Sequence, residues 1–285
     1  MNPQDRIDLA HLRRALAGTR FSGQLQYFPA VESTNSLLLA AAAKGAPDGM
    51  VYVADEQTAG RGRGSHRWRS DPGDGLYVSV LARLALPLAD ALLLSLATAL
   101  AVQHAVLEAT GLELDIRWPN DLMLREGDAD EEQKKCGGIL VETAVEPGLD
   151  PLLRYAVIGI GLNVHHLSFP PELTDFATSL HLADRARRDD PDDIVPLFRA
   201  TILLALLRCL DSELQELEQG SAAARSRLLQ RFTTSSSWVH DKRVSVSEDG
   251  GYTGTTVGLD KRGFLLVDGD DGRMHIVLSG GVRAL

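Results

Sequence analysis

The sequence predicts an α+β protein, a mixed β-sheet packed with helices and followed by a small C-terminal β-barrel. Strand-like and helix-like runs alternate over residues 8–232. One apolar run, residues 89–110, has the length of a buried central helix. From residue 237 onward only short β-rich runs remain, separated by Gly/Asp turns.

The elements follow in order from local signals. Residues 8–16 suggest a short helix that stops before Gly18, and residues 25–28 a strand. Ser33 or Thr34 can N-cap a helix through Leu37 and the alanine run to Lys44, with Gly45 as its stop. Residues 50–55 read as a strand, and a Gly/Arg loop follows them. Residues 76–84, between Gly75 and Pro87, read as a buried strand. The long helix over 89–110 is closed by Gly111. Residues 114–118 and 122–125 read as strands around Pro119-Asn120-Asp121, and residues 127–134 as a charged turn. Strands at 138–142 and 155–163 flank a hairpin connection over 147–151. Residues 193–219 and 222–232 read as amphipathic helices, and a domain boundary falls at 233–236. The last β-rich runs are 243–247, 252–258, 264–267 and 274–277.

Composition bounds the function. The 285 residues, 44% hydrophobic and 24% charged, suffice for one large domain or two unequal ones with real cores. A net charge of -10 speaks against a general nucleic-acid or membrane surface. Cys136 and Cys209 have no paired spacing, so a reducing cytoplasm fits best. No secretory signal or internal repeat is visible, and the most apolar run, residues 91–102, is too short to span a bilayer. Cys136 reads as a small space-filler and Cys209 as core. His165 and His166, adjacent on a strand, point to opposite faces and do not share a metal.

Against this acidic background, Gly60-Arg61-Gly62-Arg63-Gly64-Ser65-His66-Arg67-Trp68 needs a local reason. Glycines bring bare backbone N–H groups close, and guanidinium forks meet anionic oxygens. The glycine spacing is not G-x-G-x-x-G, the loop leads toward a strand, and no P-loop motif occurs. A mobile loop that orders over an anionic ligand remains.

Five segments in one order resemble the biotin–protein ligase family. They are Glu32-Ser33-Thr34-Asn35, the Gly60-to-Trp68 loop, Arg117-Trp118-Pro119-Asn120-Asp121, Lys135-Cys136-Gly137-Gly138-Ile139-Leu140-Val141-Glu142, and Gly159-Ile160-Gly161-Leu162-Asn163-Val164. The resemblance covers residues 28–165 strongly and the C-terminal region weakly. It implies a biotin/lipoate ligase-like catalytic domain over 28–233, an SH3-like barrel over 237–285 and an N-terminal helical extension over 1–27. It further implies that biotin and ATP form biotinyl-5′-AMP and pyrophosphate, and that biotin then passes to a lysine of a carrier domain of a biotin-dependent carboxylase.

The same resemblance assigns roles. Lys135 would bridge the biotin carboxylate and the α-phosphate as a point charge. Arg61 and Arg63 would meet the carboxylate and the phosphates, and Asp121 would receive or orient the proton of the target lysine. Ser33, Thr34 and Asn35 would satisfy the ureido group, and Gln57 matches a ligand position of the family. Gly60, Arg61, Gly62, Arg63 and Trp68 would close over the ligand. Asn120, Gly137 and Asn163 complete the set, with Asn163 on the nucleotide side. Trp118 serves the pocket wall or the core. Mg2+ is expected with the phosphates, but no carboxylate cluster names its ligands. His66 stands where the family often has arginine and receives no role.

Two departures bear on the reading. Thirty residues precede Val31, too few for the winged DNA-binding module of some family members, so a ligase without repressor domain is expected. The tail over 274–285 has no tryptophan to meet adenine, and Gly280-Gly281-Val282-Arg283 only loosely resembles the closing motif of the family. The rival readings are a lipoate– or octanoyl–protein ligase, which shares the fold, and a non-enzymatic biotin-binding regulator. A homodimer through a sheet edge is left open.

Overall fold

A computed structural model describes residues 5, 7–127, 132–188 and 196–285. Its main sheet holds β1 (Leu25–Phe28), β2 (Val51–Ala54), β3 (Gly75–Ala82), β4 (Asp115–Arg117), β5 (Asp121–Leu124), β6 (Lys134–Val145) and β7 (Leu153–Asn163). The order across it is β1-β2-β3-β7-β6-β5-β4. The β1–β2 pair is parallel and the other neighbours are antiparallel, so the sheet is mixed as expected. The helices are α1 (Leu9–Ala15), α2 (Thr34–Ala43), α3 (Leu92–Thr110), α4 (Leu180–Ala186), α5 (Arg199–Glu218) and α6 (Ala222–Ser235).

α3 is apolar around its circumference because it is enclosed, between the sheet on one side and α5 and α6 on the other. By length and composition the span Leu88–Thr110 could cross a membrane, yet 72% of its most apolar stretch lies inside the protein. Gly111 ends the helix at φ 69°, where its N–H reaches the Leu107 carbonyl at 2.8 Å.

Side-chain alternation in β3 and β7 sets the rest. Leu76, Val78, Val80 and Ala82, with Ala156, Ile158, Ile160 and Leu162, face the α3 side and join the main core. On the opposite face, Tyr52, Leu81, Tyr155 and Val157 are covered by Leu38 and Ala42 of α2. Beyond the reach of α2 that face carries Tyr77, Ser79, Gly159 and Gly161, and a trough opens there.

The C-terminal region forms β8 (His240–Val246), β9 (Tyr252–Leu259), β10 (Leu265–Gly269), β11 (Met274–Val277) and β12 (Val282–Ala284). They make an antiparallel sheet in the order β11-β10-β9-β8-β12, the architecture expected of a small SH3-like barrel. Its Val244, Val246, Leu265, Val267 and Val277 share the core of the main domain. The Trp118 indole donates to the Gly263 carbonyl at 2.9 Å, and Ser236 Oγ donates to the Ile116 carbonyl at 2.5 Å.

Several bounds moved. β6 begins at Lys134 rather than at residue 138, because pairing with β5 carries two lysines into the ladder that locally read as a turn. α6 runs through residues 233–235, so a helix end stands where a boundary segment was expected. α4 and β12 had no sequence reading, although Ser179 caps α4 by accepting from the Leu182 N–H at 3.1 Å. The helix expected from residue 193 begins at Arg199. Residues 193–195 of that reading, 128–131 of the charged turn, and 1–4 and 6 of the N-terminal extension lie outside the described residues.

Candidate active site

The trough floor is a row set by strand register. Ala54, Tyr77, Gly161, Gly138 and Asp121 stand opposite one another across β2, β3, β7, β6 and β5. Tyr52, Ser79, Gly159 and Leu140 form the next row. Directly opposed residues share a face, so the glycines leave the floor bare. A β-carbon on Gly159 would fall 2.3 Å from Asn35 Oδ1, and one on Gly161 2.6 Å from Trp68 Nε1. One on Gly138 would lie 3.3 Å from Lys135 Cε. The three glycines therefore let Asn35, Trp68 and Lys135 lie on the sheet. Gly137 faces the other way, where a β-carbon would meet Leu122 Cδ1 at 2.8 Å, so Gly138 takes the trough position that the sequence reading gave to Gly137. Alternation makes both assignments equally legible locally; register with β7 chooses between them.

One wall is the start of α2. Ser33 caps it, accepting from the Ser36 N–H at 3.4 Å. Gln57 Oε1 accepts from Thr34 N–H at 2.9 Å and Thr34 Oγ1 at 3.1 Å, while Gln57 Nε2 donates to Ser70 Oγ at 2.9 Å. Ser79 Oγ lies 2.8 Å from Thr34 Oγ1 and donates to Asn35 Oδ1 at 2.5 Å. Asn35 Nδ2 donates to Glu142 Oε2 at 3.1 Å. This buried network holds Thr34, Asn35 and Gln57 in place before any ligand arrives. Ser79 and Glu142 were missed by the sequence reading. The signal for Ser79 was a lone small polar side chain within the otherwise apolar and aromatic β3.

The other wall is the Gly/Arg loop, which is folded rather than open. Arg61 and Arg67 form an antiparallel bridge, Trp68 N–H donates to Gly60 O at 2.9 Å, and Gly62 N–H donates to His66 O at 2.8 Å. Gly60 is required by sterics, since a β-carbon there would fall 2.3 Å from Trp68 O. A cavity of about 490 Å3 separates Ser33 and Ser36 from Gly60, Arg61 and Gly62. Arg61 spans it to grip Glu142 with Nη1 at 3.1 Å and Nη2 at 2.6 Å. Arg63 Nη1 donates to Asn120 Oδ1 at 2.8 Å, and its Nη2 donates to the Ser279 carbonyl of the C-terminal sheet. Burial lowers the Arg63 pKa, with Asp121 and Glu248 opposing. His66 is exposed.

At the far end of the floor, Lys135 Nζ lies 2.5 Å from Asp121 Oδ1 and 5.6 Å from the Trp68 ring centre. Arg117 donates to Asp121 Oδ2 through Nε at 3.1 Å and Nη2 at 2.7 Å. Burial acts to raise the Asp121 carboxyl, but Lys135 and Arg117 outweigh it and hold it below the usual carboxylate range. Asn120 is anchored by donating from Nδ2 to Ile139 O at 3.0 Å. Trp118 is buried in the core, not in the trough wall. Asn163 donates to Thr178 O at 2.9 Å, and Thr178 N–H donates to Lys135 O, so Asn163 braces the segment beside Lys135.

A floor of glycines, a preset polar wall and three cations thus surround one trough. Comparison with known proteins gives the family. A model of the biotin/lipoate A/B protein ligase family matches residues 27–163, and one of the biotin protein ligase C terminal domain matches residues 239–282. The chain belongs to the biotin/lipoate A/B protein ligase family. It is 33% identical over 295 residues to a biotin–[acetyl-CoA-carboxylase] ligase of Mycobacterium tuberculosis, covering 99% of this chain and 98% of that one. It is 32% identical over 257 residues to a bifunctional ligase/repressor of Bacillus subtilis, covering 89% of this chain and 72% of that one. Among solved structures, the Aquifex aeolicus biotin protein ligase in complex with biotin and ATP superposes with a TM-score of 0.68 at 28% identity, covering 92% of this chain and 98% of that one.

Proposed function

We propose that the trough adenylates biotin and then delivers it to a lysine of a biotin carrier domain. The protein is an ATP-dependent biotin–protein ligase. The observation that carries the residue assignment is the placement of Lys135, Arg63 and Arg61 around a floor opened by Gly138, Gly159 and Gly161.

The uncharged bicyclic head would lie against Ser33, Thr34, Asn35, Gln57 and Ser79, whose hydroxyls and amides can serve ureido oxygen and nitrogens. In the first step a biotin carboxylate oxygen bonds to the α-phosphorus and the bond to pyrophosphate breaks. Lys135 and Arg63 sit at the end of the trough where that negative charge gathers. Arg61 would exchange Glu142 for ligand oxygens. In the second step the ammonium of the carrier lysine loses a proton to solvent, its nitrogen bonds to the anhydride carbonyl carbon, the carbon–oxygen bond to AMP breaks, and the remaining amine proton passes to solvent as AMP leaves. Asp121, held ionised by Lys135 and Arg117, is a weak base. Its role is to hold Lys135 and orient the incoming ammonium, the second of the two roles expected of it. Mg2+ is expected to enter as the counter-ion of ATP. A biotin carrier domain of a carboxylase as acceptor, a homodimer and a cytoplasmic setting belong to the same proposal.

Biotin-dependent ATP–pyrophosphate exchange tests the activity. Exchange with biotin, and little with lipoate or octanoate, is expected. Exchange with lipoate alone would sink the biotin reading, and tight biotin binding without exchange would leave a binding protein. Gly161→Ala tests the floor. It is expected to push Trp68 off the sheet, shift tryptophan emission and cut exchange by roughly 10-fold or more, because close-packed atoms do not absorb a contact of that kind. Unchanged emission and exchange would show that Trp68 does not line the working site.

A further inference from the structure

We propose that Asp71, Asp74 and His166 bind one divalent first-row metal ion, with Zn2+ as the ion of choice, outside the trough. One ligand atom from each residue lies within 4.8 Å of the others. Asp71 and Asp74 stand 92 or more positions before His166, so no spacing in the chain announces them as a set.

The second observation is the state of His166. The residue is 3% exposed, yet neither ring nitrogen has a hydrogen-bond partner among the described residues. Burying an imidazole with no more than a weak approach to the Asp74 backbone is unfavourable, and a metal ion is a partner that corrects it. The ring cannot easily turn away. It stacks on Phe169 at 5.2 Å and 10°, and the His166 carbonyl accepts from Ser179 Oγ at 2.7 Å.

The carboxylates are equally placed by backbone. The Asp74 carbonyl accepts from the Val164 N–H at 3.0 Å and the His165 N–H at 2.7 Å, tying its turn to the end of β7. The Asp71 carbonyl accepts from Tyr77 Oη at 3.2 Å. Arg69 Nε holds Asp71 Oδ2 at 2.5 Å, which fixes the carboxylate and leaves Oδ1 outside that ion pair.

One nitrogen and two carboxylate oxygens suit Zn2+ better than Mg2+ or Ca2+, which prefer oxygen alone. A tetrahedral shell at about 2.1 Å puts its ligand atoms about 3.4 Å apart, so the three side chains need to close by about an ångström or a little more. Water would complete the shell. The bound ion would clamp the turn that follows the Gly/Arg hairpin to the end of the strand bearing Gly159 and Gly161.

Titrating metal-free full-length protein with Zn2+, and with Co2+ as a visible-absorbing stand-in, tests this in the absence of ATP. One equivalent is expected to bind and raise the melting temperature. His166→Ala, Asp71→Asn and Asp74→Asn are each expected to weaken binding by roughly 10–100-fold or more and to abolish the thermal shift. The two aspartate variants are isosteric, so they report even where His166→Ala folds poorly. Binding of the same strength in both aspartate variants would overturn the proposal. So would the lack of a stoichiometric site, or binding only when ATP brings the ion.

Discussion

Lys135→Ala is expected to lower biotin-dependent ATP–pyrophosphate exchange by about 10²–10³-fold and to leave the fold intact. The ammonium is the compact charge at the end of the floor, 2.5 Å from Asp121 and beside Trp68. Among the described residues the neighbouring cations have other partners, Arg117 on Asp121 among them. Arg61 is engaged with Glu142, and Arg63 reaches toward Asn120 and Ser279. Stability should survive because Asp121 keeps Arg117 at 2.7 Å and the Lys135 side chain is 31% exposed. Lys135→Arg is not expected to rescue, since a planar fork cannot place its charge as the compact ammonium does on the floor that Gly138 leaves bare. Exchange rates and thermal melts, measured side by side, decide the matter. Wild-type exchange in Lys135→Ala would remove Lys135 from the mechanism, and loss of the melt would show a structural role instead.

Arg199→Ala should produce the largest loss of stability, about 3–5 kcal/mol, or roughly 6–20 °C in melting temperature. Arg199 is fully enclosed, with Nε 2.5 Å from Asp5 Oδ2 and Nη1 2.7 Å from Asp55 Oδ1. Nη1 also donates to the Gly75 carbonyl at 3.2 Å. Removing it leaves the buried Asp55, just past the end of β2, without this partner, and leaves Asp5 of the N-terminal segment with His165 alone at 3.0 Å. Adding Asp5→Asn and Asp55→Asn should recover part of the loss, because the damage lies in the unpaired charges. The pH dependence has a definite sign. Burial acts to raise Asp5, but His165 and Arg199 outweigh it and leave its pKa below 3.8. Its contribution is therefore present above that unfolded value and disappears as pH falls through the folded one. The gap between wild type and Arg199→Ala should narrow as pH drops below about 4. A gap that is constant with pH would show that lost packing, not lost charge pairing, sets the cost.

Much of the fold was legible because its signals are local. Ser33 and Gly45 bracket α2, Gly111 closes α3, and the proline-flanked turn joins β6 to β7. β6 was cut short because Lys134 and Lys135 look like turn residues until β5 pairs with them. α4 was passed over because its seven residues offer little periodicity. The candidate site divides the same way. Residues in contiguous motifs, such as Ser33-Thr34-Asn35 and Lys135, were named, whereas Ser79, Glu142 and Ser279 join it only through contacts between distant segments.

The sequence alone determined the order of most elements, α4 and β12 excepted, the family and the short motifs that carry charge, because caps, turns and alternation act over a few residues. Tertiary structure decided which face each motif serves. Register between β6 and β7 puts Gly138 rather than Gly137 on the trough floor, and a slip of one residue would exchange them. It also folds the Gly/Arg loop into a hairpin tied to the C-terminal sheet and gathers Asp71, Asp74 and His166 beside β7. Such pairings depend on contacts between residues far apart in the chain, and no local propensity encodes them.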